Sequence, residues 1–194
     1  MNNNRRVWSF LVCGLAIVLA SGFSSRPLPV EDFDRKLEAM GLELPPVSEA
    51  VGIYRPVVVV DNMAWLSGHI PRTADGEIMR GKAGGDVTLQ RGQQAARQCG
   101  LAMLASLKAE LGSLNRVRRL VKTTGMVNCT PDFVDQPKVV NGCSELFRDL
   151  FGEENGVGAR AAVGMASLPA GAIVEIEAVF EIEPEQVSRR SPVP

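Results

Sequence analysis

The segment IVEIEAVFEI at 173–182 constrains the fold most, because apolar and acidic residues alternate along it. Alternate side chains of a β-strand point to opposite faces of its sheet. One face of this strand is therefore apolar, whereas the other carries Glu175, Glu177 and Glu181 together with Ile173 and Val179. Such a strand belongs in a sheet that has one face on a hydrophobic core and a second face of mixed character.

Two amphipathic segments can supply the other half of that core. Apolar residues recur at helical spacing through 89–111, where Thr88 can cap the helix and Gly112 can end it. A second helix is predicted over 139–151, with Pro137 suited to its first turn. The sequence therefore predicts two long helices that each bury one side.

The remaining regular segments are predicted strands. Asp61-Asn62 separates two apolar runs and indicates a hairpin turn, because both residue types tolerate a positive φ. The order β-β-(β)-α-β-α-β-β predicts an α+β fold, a mixed β-sheet with two helices packed on one face. The predicted strands are 57–60, 63–67, 116–127, 159–166 and 173–182, with a short additional strand around 78–80.

Two helices cover one face of such a sheet and leave the other uncovered. Segment 57–60 is apolar on both faces, and exposed apolar patches mark interaction surfaces. The sequence therefore predicts a homo-oligomer in which sheets pack against each other. The alternative is that a short helix at 31–40 covers part of the open face. In segment 116–127 the alternation predicts Leu120 and Met126 on one face, and Val117, Val121 and Val127 on the other.

The first 25 residues are predicted to be a targeting segment. Arg5 and Arg6 precede an uncharged stretch whose apolar part is too short for a bilayer span, which needs about 20 residues. This layout is typical of a secretory signal peptide and predicts export to the periplasm or the extracellular space. The alternatives are an uncleaved membrane anchor, or a misassigned start codon with the chain cytoplasmic. Residues 26–50 are predicted to be a linker with a short helix, 51–183 the domain, and 184–194 a disordered tail.

Composition argues against several classes of partner. The net charge of −1 and the 5% of aromatic residues argue against nucleic-acid binding. One histidine and four cysteines make a His/Cys metal cluster improbable. No CxxC pair occurs, so Cys99, Cys129 and Cys143 are interpreted as buried or free thiols, with one disulfide after export as the alternative.

The candidate chemistry lies in the last two strands. Arg160 shares a strand face with Ala162, Gly164 and Ala166, and such small neighbours leave space beside a guanidinium that can grip a carboxylate. The alternative is that Arg160 pairs with Glu175 or Glu177 and only holds the sheet together. Glu175 is correspondingly either a proton-handling carboxylate or part of a polar seam. The sequence contains no P-loop, GxGxxG or GxSxG motif.

Several motifs together resemble the YjgF/YER057c/UK114 family, the RidA-like reactive-intermediate deaminases with the older label endoribonuclease L-PSP. The resemblance covers about residues 45–183 and is most specific in the final block, where an Arg, a short strand, Leu-Pro and VEIEA follow one another. The matching pieces are Tyr54, LSGHIP at 66–71, RGQQAARQ at 91–98, VKTTGMVN at 121–128 before a PDF loop, Asn141, and GARAAVGMASLPAGAIVEIEAVFEI at 158–182.

The resemblance implies a chorismate-mutase-like fold, assembled as a homotrimer with clefts between subunits. It also implies hydrolysis of enamine or imine intermediates such as 2-aminoacrylate to a 2-keto acid and ammonia, without metal or cofactor. By the same resemblance, Arg160 and Glu175 are the catalytic residues. The substrate-binding residues that it implies are Tyr54, Ser67, Gly68, His69, Asn141 and Ala162.

Two of these positions depart from the family pattern. Ala162 stands where many members have cysteine, and His69 stands where glutamine is usual. Both changes are expected to affect substrate choice. The alternative function is a non-catalytic trimer that binds a small carboxylate or another protein. A ribonuclease, suggested only by the old family label, is disfavoured by the acidic charge balance.

Overall fold

The computed structural model describes residues 31–47 and 52–184. The predicted signal segment and residues 185–194 of the predicted tail lie outside the described residues. Three helices and five strands follow in the order α1 (Phe33–Ala39), β1 (Val57–Val60), β2 (Met63–His69), α2 (Leu89–Leu111), β3 (Val117–Asn128), α3 (Gln136–Gly156), β4 (Ala159–Met165) and β5 (Val174–Ile182).

The five strands form one mixed sheet in the order β1-β2-β5-β3-β4. β3 and β4 run parallel, whereas every other neighbouring pair is antiparallel. The hairpin between β1 and β2 turns at Asp61, whose φ of 54° is the positive value that the Asp-Asn pair predicted. The predicted α+β class is therefore confirmed.

Helices α2 and α3 pack side by side on one face of the sheet. Thr88 accepts a hydrogen bond from the backbone N–H of Arg91, and Gly112 ends α2 in the left-handed conformation, as predicted. Between the helices and the sheet lies an aromatic cluster, in which Phe147 packs edge-on against Phe180 of β5 at a centroid distance of 5.4 Å. This arrangement buries the apolar face of β5 and leaves its glutamate face open.

Helix α1 lies on the helical side of the sheet. Its Phe33 packs edge-on against Phe151 of α3 at 4.9 Å. The side chain of Asn115 accepts the Phe33 backbone N–H at 2.7 Å, which ties the start of α1 to the turn after α2. The alternative that this helix covers the open sheet face is therefore wrong, because both apolar anchors of α1, Phe33 and Leu37, are buried in the core beneath α3.

Strand β3 divides its residues between the two faces differently from the prediction. The pairing with β5 shifts between Leu120 and Lys122. Such a β-bulge reverses the alternation from that point on. Leu120 and Val127 are consequently both buried in the core, whereas Met126 pairs with Glu175 on the open face.

Two other boundaries differ from the prediction. The short strand expected around 78–80 is absent from the described sheet, since Ile78 and Arg80 each form only an isolated bridge. Helix α3 extends beyond 151 to Gly156, with a local break at Gly152, where φ is 83°. The break lets the chain turn back toward β4, so a glycine marks the bend without ending the element.

Three cysteines of the described residues, Cys99, Cys129 and Cys143, are buried free thiols. Burial raises the pKa of the Cys143 thiol to about 12, so this thiol is protonated at neutral pH. Among the residues that the structure describes, no helix combines the length and hydropathy that a bilayer span requires.

Candidate active site

Glu175 lies directly over Gly68, and the absence of a side chain there makes room for its carboxyl group. A Cβ atom added to Gly68 would collide with Oε1 of Glu175 and would lie 2.8 Å from its Cδ. The close approach follows from an irregularity in β2, whose pairing with β5 shifts between Leu66 and His69. The observed position of the Glu175 carboxyl group therefore depends on the missing side chain at position 68.

His69 holds this irregular part of β2 in place. Its Nδ1 lies 2.7 Å from the backbone oxygen of Ser67, and its Nε2 lies 2.9 Å from Oγ of Ser106 on α2. A carbonyl oxygen only accepts, so Nδ1 carries the proton and Nε2 accepts from the Ser106 hydroxyl. Burial lowers the pKa of the His69 imidazole, which favours this neutral form. The ring therefore connects the strand beneath Glu175 to helix α2.

A cavity of about 600 Å³ opens beside these residues, here called the Glu175 cavity. It has the size usual for small-molecule sites. Most of its surface is apolar, with walls that include Ile70, Ile78 and Ala102. Its polar and charged lining residues are Tyr54, Ser67, His69, Arg72 and Glu175.

The environment of Glu175 favours the protonated form of its carboxyl group more than water does. The side chain is half-buried. Burial, and after it the negative charge of Glu177, raise the pKa of the Glu175 carboxyl above its usual value. A raised pKa is what a carboxylate needs to act as a general base and then as a general acid.

Arg160 projects from β4 toward helix α3. Its Nη1 donates to Oδ1 of Asn141 at 2.8 Å and to Oγ of Ser144 at 3.0 Å. Within the described residues, no carboxylate lies within 4.0 Å of its guanidinium. The alternative that Arg160 pairs with Glu175 or Glu177 is therefore wrong, because β3 lies between the two strands that carry these residues.

A second, smaller cavity of about 250 Å³ adjoins this arginine. Ser144 and Thr123 contribute hydroxyl groups to its lining. Thr123 is buried, and its Oγ1 has no hydrogen-bond partner among the described residues. Ala162 lies two residues along β4 from Arg160 on the same face, and it packs against the core. Arg160, Asn141, Ser144, Thr123 and Ala162 are together called the Arg160 cluster.

The Arg160 cluster and the Glu175 cavity lie on opposite faces of the sheet. Arg160 pairs in register with Thr123, which pairs with Ala178 of the buried face of β5. Glu175 instead pairs with Met126 and points to the open face. The two residues are also far apart within the sheet, because β3 lies between β4 and β5 and two strand spacings amount to about 10 Å. The structure therefore brings together Tyr54, Ser67, Gly68, His69 and Glu175, and separately Arg160, Asn141 and Ala162.

Sequence reasoning missed four polar residues that the structure places in or beside these groups: Thr123, Ser144, Ser106 and Arg72. Ser144 lies three positions after Asn141, so helical spacing alone could have placed both on one face. Ser106 and Arg72 carry no comparable signal, because their neighbours are set by the packing of α2 and by the loop after β2. The described residues contain no cluster of His, Cys, Asp or Glu that could hold a metal ion.

Comparison with known proteins identifies the family. Residues 34–179 match the family model described as "YjgF/chorismate mutase-like, putative endoribonuclease". Protein TCP17 of Trypanosoma cruzi is 40% identical over 146 residues, which cover 75% of this chain and 91% of that protein. The crystal structure of protein Atu1372 of Agrobacterium tumefaciens, of unknown function, has 39% identity and a TM-score of 0.71, covering 79% of this chain and 96% of that one.

A third similar protein is RidA of the Antarctic bacterium Psychrobacter sp. PAMC 21119. Its crystal structure has 28% identity and a TM-score of 0.51, covering 72% of this chain and 97% of that one. The family model spans the described elements from α1 to most of β5, including Arg160 and Glu175. The chain therefore belongs to the YjgF/chorismate mutase-like family.

Proposed function

We propose that this protein is an enamine/imine deaminase, which hydrolyses intermediates of the 2-aminoacrylate type to 2-keto acids and ammonia. The observation that carries the proposal is the half-buried Glu175 carboxyl, held over Gly68 at the edge of an accessible cavity. The resemblance to the RidA-like reactive-intermediate deaminases, together with the similarity to a protein named RidA, supports the proposal.

The reaction requires little more than positioning, because imines already hydrolyse in water. Arg160 binds the substrate carboxylate with the N–H groups that do not contact Asn141 and Ser144. Glu175 orients a water molecule and takes its proton as the oxygen attacks the C=N carbon. Glu175 passes that proton to the imine nitrogen, which gives a neutral amino-alcohol. Glu175 then takes the proton of the new hydroxyl group and delivers it to the amine nitrogen, so that the C–N bond breaks, ammonia leaves and the C=O bond forms.

Both groups can act on one small substrate only when two chains contribute to the site. In a single chain the sheet separates Arg160 from Glu175. The open face carries exposed apolar side chains, among which Trp65 and Val60 are 53% and 54% exposed. We infer that copies pack through this face as a homotrimer, so that the Arg160 cluster of one chain closes the Glu175 cavity of the next.

The test is ammonia and keto-acid release from 2-aminoacrylate generated beside the purified protein. We expect acceleration over buffer, and the Arg160→Ala variant should lose about a hundredfold in kcat/KM, because a charge-assisted fork to the substrate is removed. The matched control is Arg148→Ala, since Arg148 is an exposed arginine of α3, the helix that Arg160 contacts, and within the described residues its ion pair is with the adjacent Asp149.

Two results would contradict the proposal. No acceleration over buffer would contradict the deaminase activity, and full activity in Arg160→Ala would contradict the role of Arg160 in it. Binding of a small carboxylate without turnover would favour the alternative of a non-catalytic binding module. This second function is considered because Ala162 and His69, two of the substrate-binding positions that the resemblance implies, depart from the family pattern.

A further inference from the structure

Arg72 is a positively charged residue of the Glu175 cavity that the proposed reaction does not use. It lies in the loop after β2, opposite Ile78 in an isolated bridge, and it is half-buried. Together with Glu175 it supplies the charged part of a lining that is otherwise neutral. The cavity therefore contains one cation of its own before any partner chain contributes Arg160.

The guanidinium of Arg72 is available to a ligand of the cavity. Its Nη1 donates to the backbone oxygen of Gly76 at 2.7 Å. Among the described residues, no carboxylate lies within 4.0 Å of it. A guanidinium with no counter-charge can bind an anionic ligand through its remaining N–H groups.

The size of the cavity also exceeds the needs of a three-carbon imine. If Arg160 of a neighbouring chain binds the carboxylate beside the C=N group, and Glu175 holds the water, the substituent on the next carbon extends into the cavity. The lining offers Arg72 as the cation that this substituent can reach. A carboxylate there would have an arginine for each of its two acid groups.

We propose that Arg72 selects imino acids with a second carboxylate, so that the preferred substrate class is the imine of a dicarboxylic amino acid. This inference rests on the proposed deaminase function. The reaction is the same hydrolysis: 2-iminosuccinate and water give oxaloacetate and ammonia, just as 2-iminopropionate and water give pyruvate and ammonia. Arg72 binds the distal carboxylate and takes no part in proton transfer.

The test compares these two imines, generated by amino-acid oxidases acting on aspartate or alanine. For the native protein, kcat/KM should be about tenfold higher for 2-iminosuccinate. Arg72→Met retains the aliphatic stem and should lower the 2-iminosuccinate value about tenfold while the 2-iminopropionate value stays within about twofold. Arg72→Lys keeps the positive charge but not the planar guanidinium. Its kcat/KM for 2-iminosuccinate should lie between those of the native protein and Arg72→Met.

Lys82→Met is the matched control. Lys82 also donates to a loop carbonyl, that of Ala166, at 2.9 Å, but neither residue is part of the cavity lining. It should leave the ratio of the two kcat/KM values unchanged. Thermal unfolding of all variants identifies any loss that comes from the missing Arg72–Gly76 hydrogen bond. The inference is overturned if the native protein does not prefer 2-iminosuccinate, or if Arg72→Met changes both substrates equally.

A binding measurement separates this inference from the proposed function. Calorimetric titration with succinate and with propionate needs no turnover. Tighter binding of succinate that disappears in Arg72→Met supports the role of Arg72 even if no imine is hydrolysed, in which case only the deaminase is contradicted. Equal affinities for succinate and propionate, with imine hydrolysis intact, contradict the role of Arg72 alone.

Discussion

The missing side chain at position 68 decides where the Glu175 carboxyl can lie. A Cβ there would occupy the space of the carboxyl group, yet the glycine has no positive φ that would itself exclude alanine. The position is therefore restricted by contact with one flexible side chain. Because Glu175 is half-buried at a cavity wall, its side chain can move away while the sheet remains intact.

Gly68→Ala should consequently reduce activity without unfolding the protein. A displacement of the carboxyl group by about 1 Å is expected to cost about a hundredfold in kcat. Deaminase kinetics and thermal unfolding measure the two effects separately. The control Gly85→Ala places a methyl group in a loop, where the nearest atom is 3.3 Å away. Unchanged activity in Gly68→Ala would show that the carboxyl position is not critical.

Single site residues could be chosen from the sequence, but their contacts could not. Arg160 and Glu175 stand out because charge interrupts an apolar or small-residue pattern. That Arg160 contacts Asn141 instead of a glutamate depends on β3 lying between β4 and β5. The partner of His69 is Ser106, 37 residues along the chain, and no local pattern connects the two.

At the scale of elements, α1 is a short helix that is stabilised by a capping hydrogen bond, an ion pair and two buried apolar side chains. Seven residues are too few for an isolated helix in water. Asp32 caps the helix by accepting the Arg35 backbone N–H, and Lys108 of α2 pairs with Asp34 at 3.0 Å. Most of the docking energy must nevertheless come from the apolar pair Phe33 and Leu37, which is buried in the core.

Phe33→Ala should therefore lower the free energy of unfolding by about 3 kcal/mol, the usual cost of truncating a buried aromatic ring. Urea unfolding at one fixed protein concentration measures the change. Glu38→Ala, at an exposed position of the same helix, is expected to stay within about 0.5 kcal/mol of the native protein. Equal losses in both variants would mean that α1 is not docked through Phe33.

The sequence identified α2 and its limits because a capping threonine and a terminal glycine are local signals. It predicted the hairpin turn for the same reason. The faces of β3 could not be predicted, since the strand has two register shifts, each of which reverses the alternation, and their positions depend on pairing with β5. The side of the sheet to which α1 binds is also a tertiary property, because its apolar face would suit either side.

At the scale of the whole molecule, the proposed site needs two chains, and this can be tested by mixing inactive variants. Arg160→Ala and Glu175→Gln are each expected to be inactive. If they are co-expressed and assemble at random, about a quarter of the sites combine a native Arg160 with a native Glu175, and activity should recover to that fraction. Deaminase assays on the co-purified mixture measure it.

The control mixes two different substitutions of Arg160. Every site in that assembly lacks the arginine, so no recovery is expected. Absence of recovery in the first mixture, with oligomers present by light scattering, would contradict a site shared between chains.

The placement of Arg160 and Glu175 on opposite faces of one sheet also restricts how copies can be arranged. A two-fold pair uses the same patch of both chains, so Arg160 and Glu175 would both have to lie in that one patch, whereas the sheet separates them. A head-to-tail row would complete one site at each contact but would leave an unmatched arginine at one end and an unmatched glutamate at the other. A closed ring has no ends, so every subunit contributes its Arg160 to the site of one neighbour and has its own Glu175 cavity completed by the Arg160 of the other. On this view, ring closure itself determines that the number of working sites equals the number of chains.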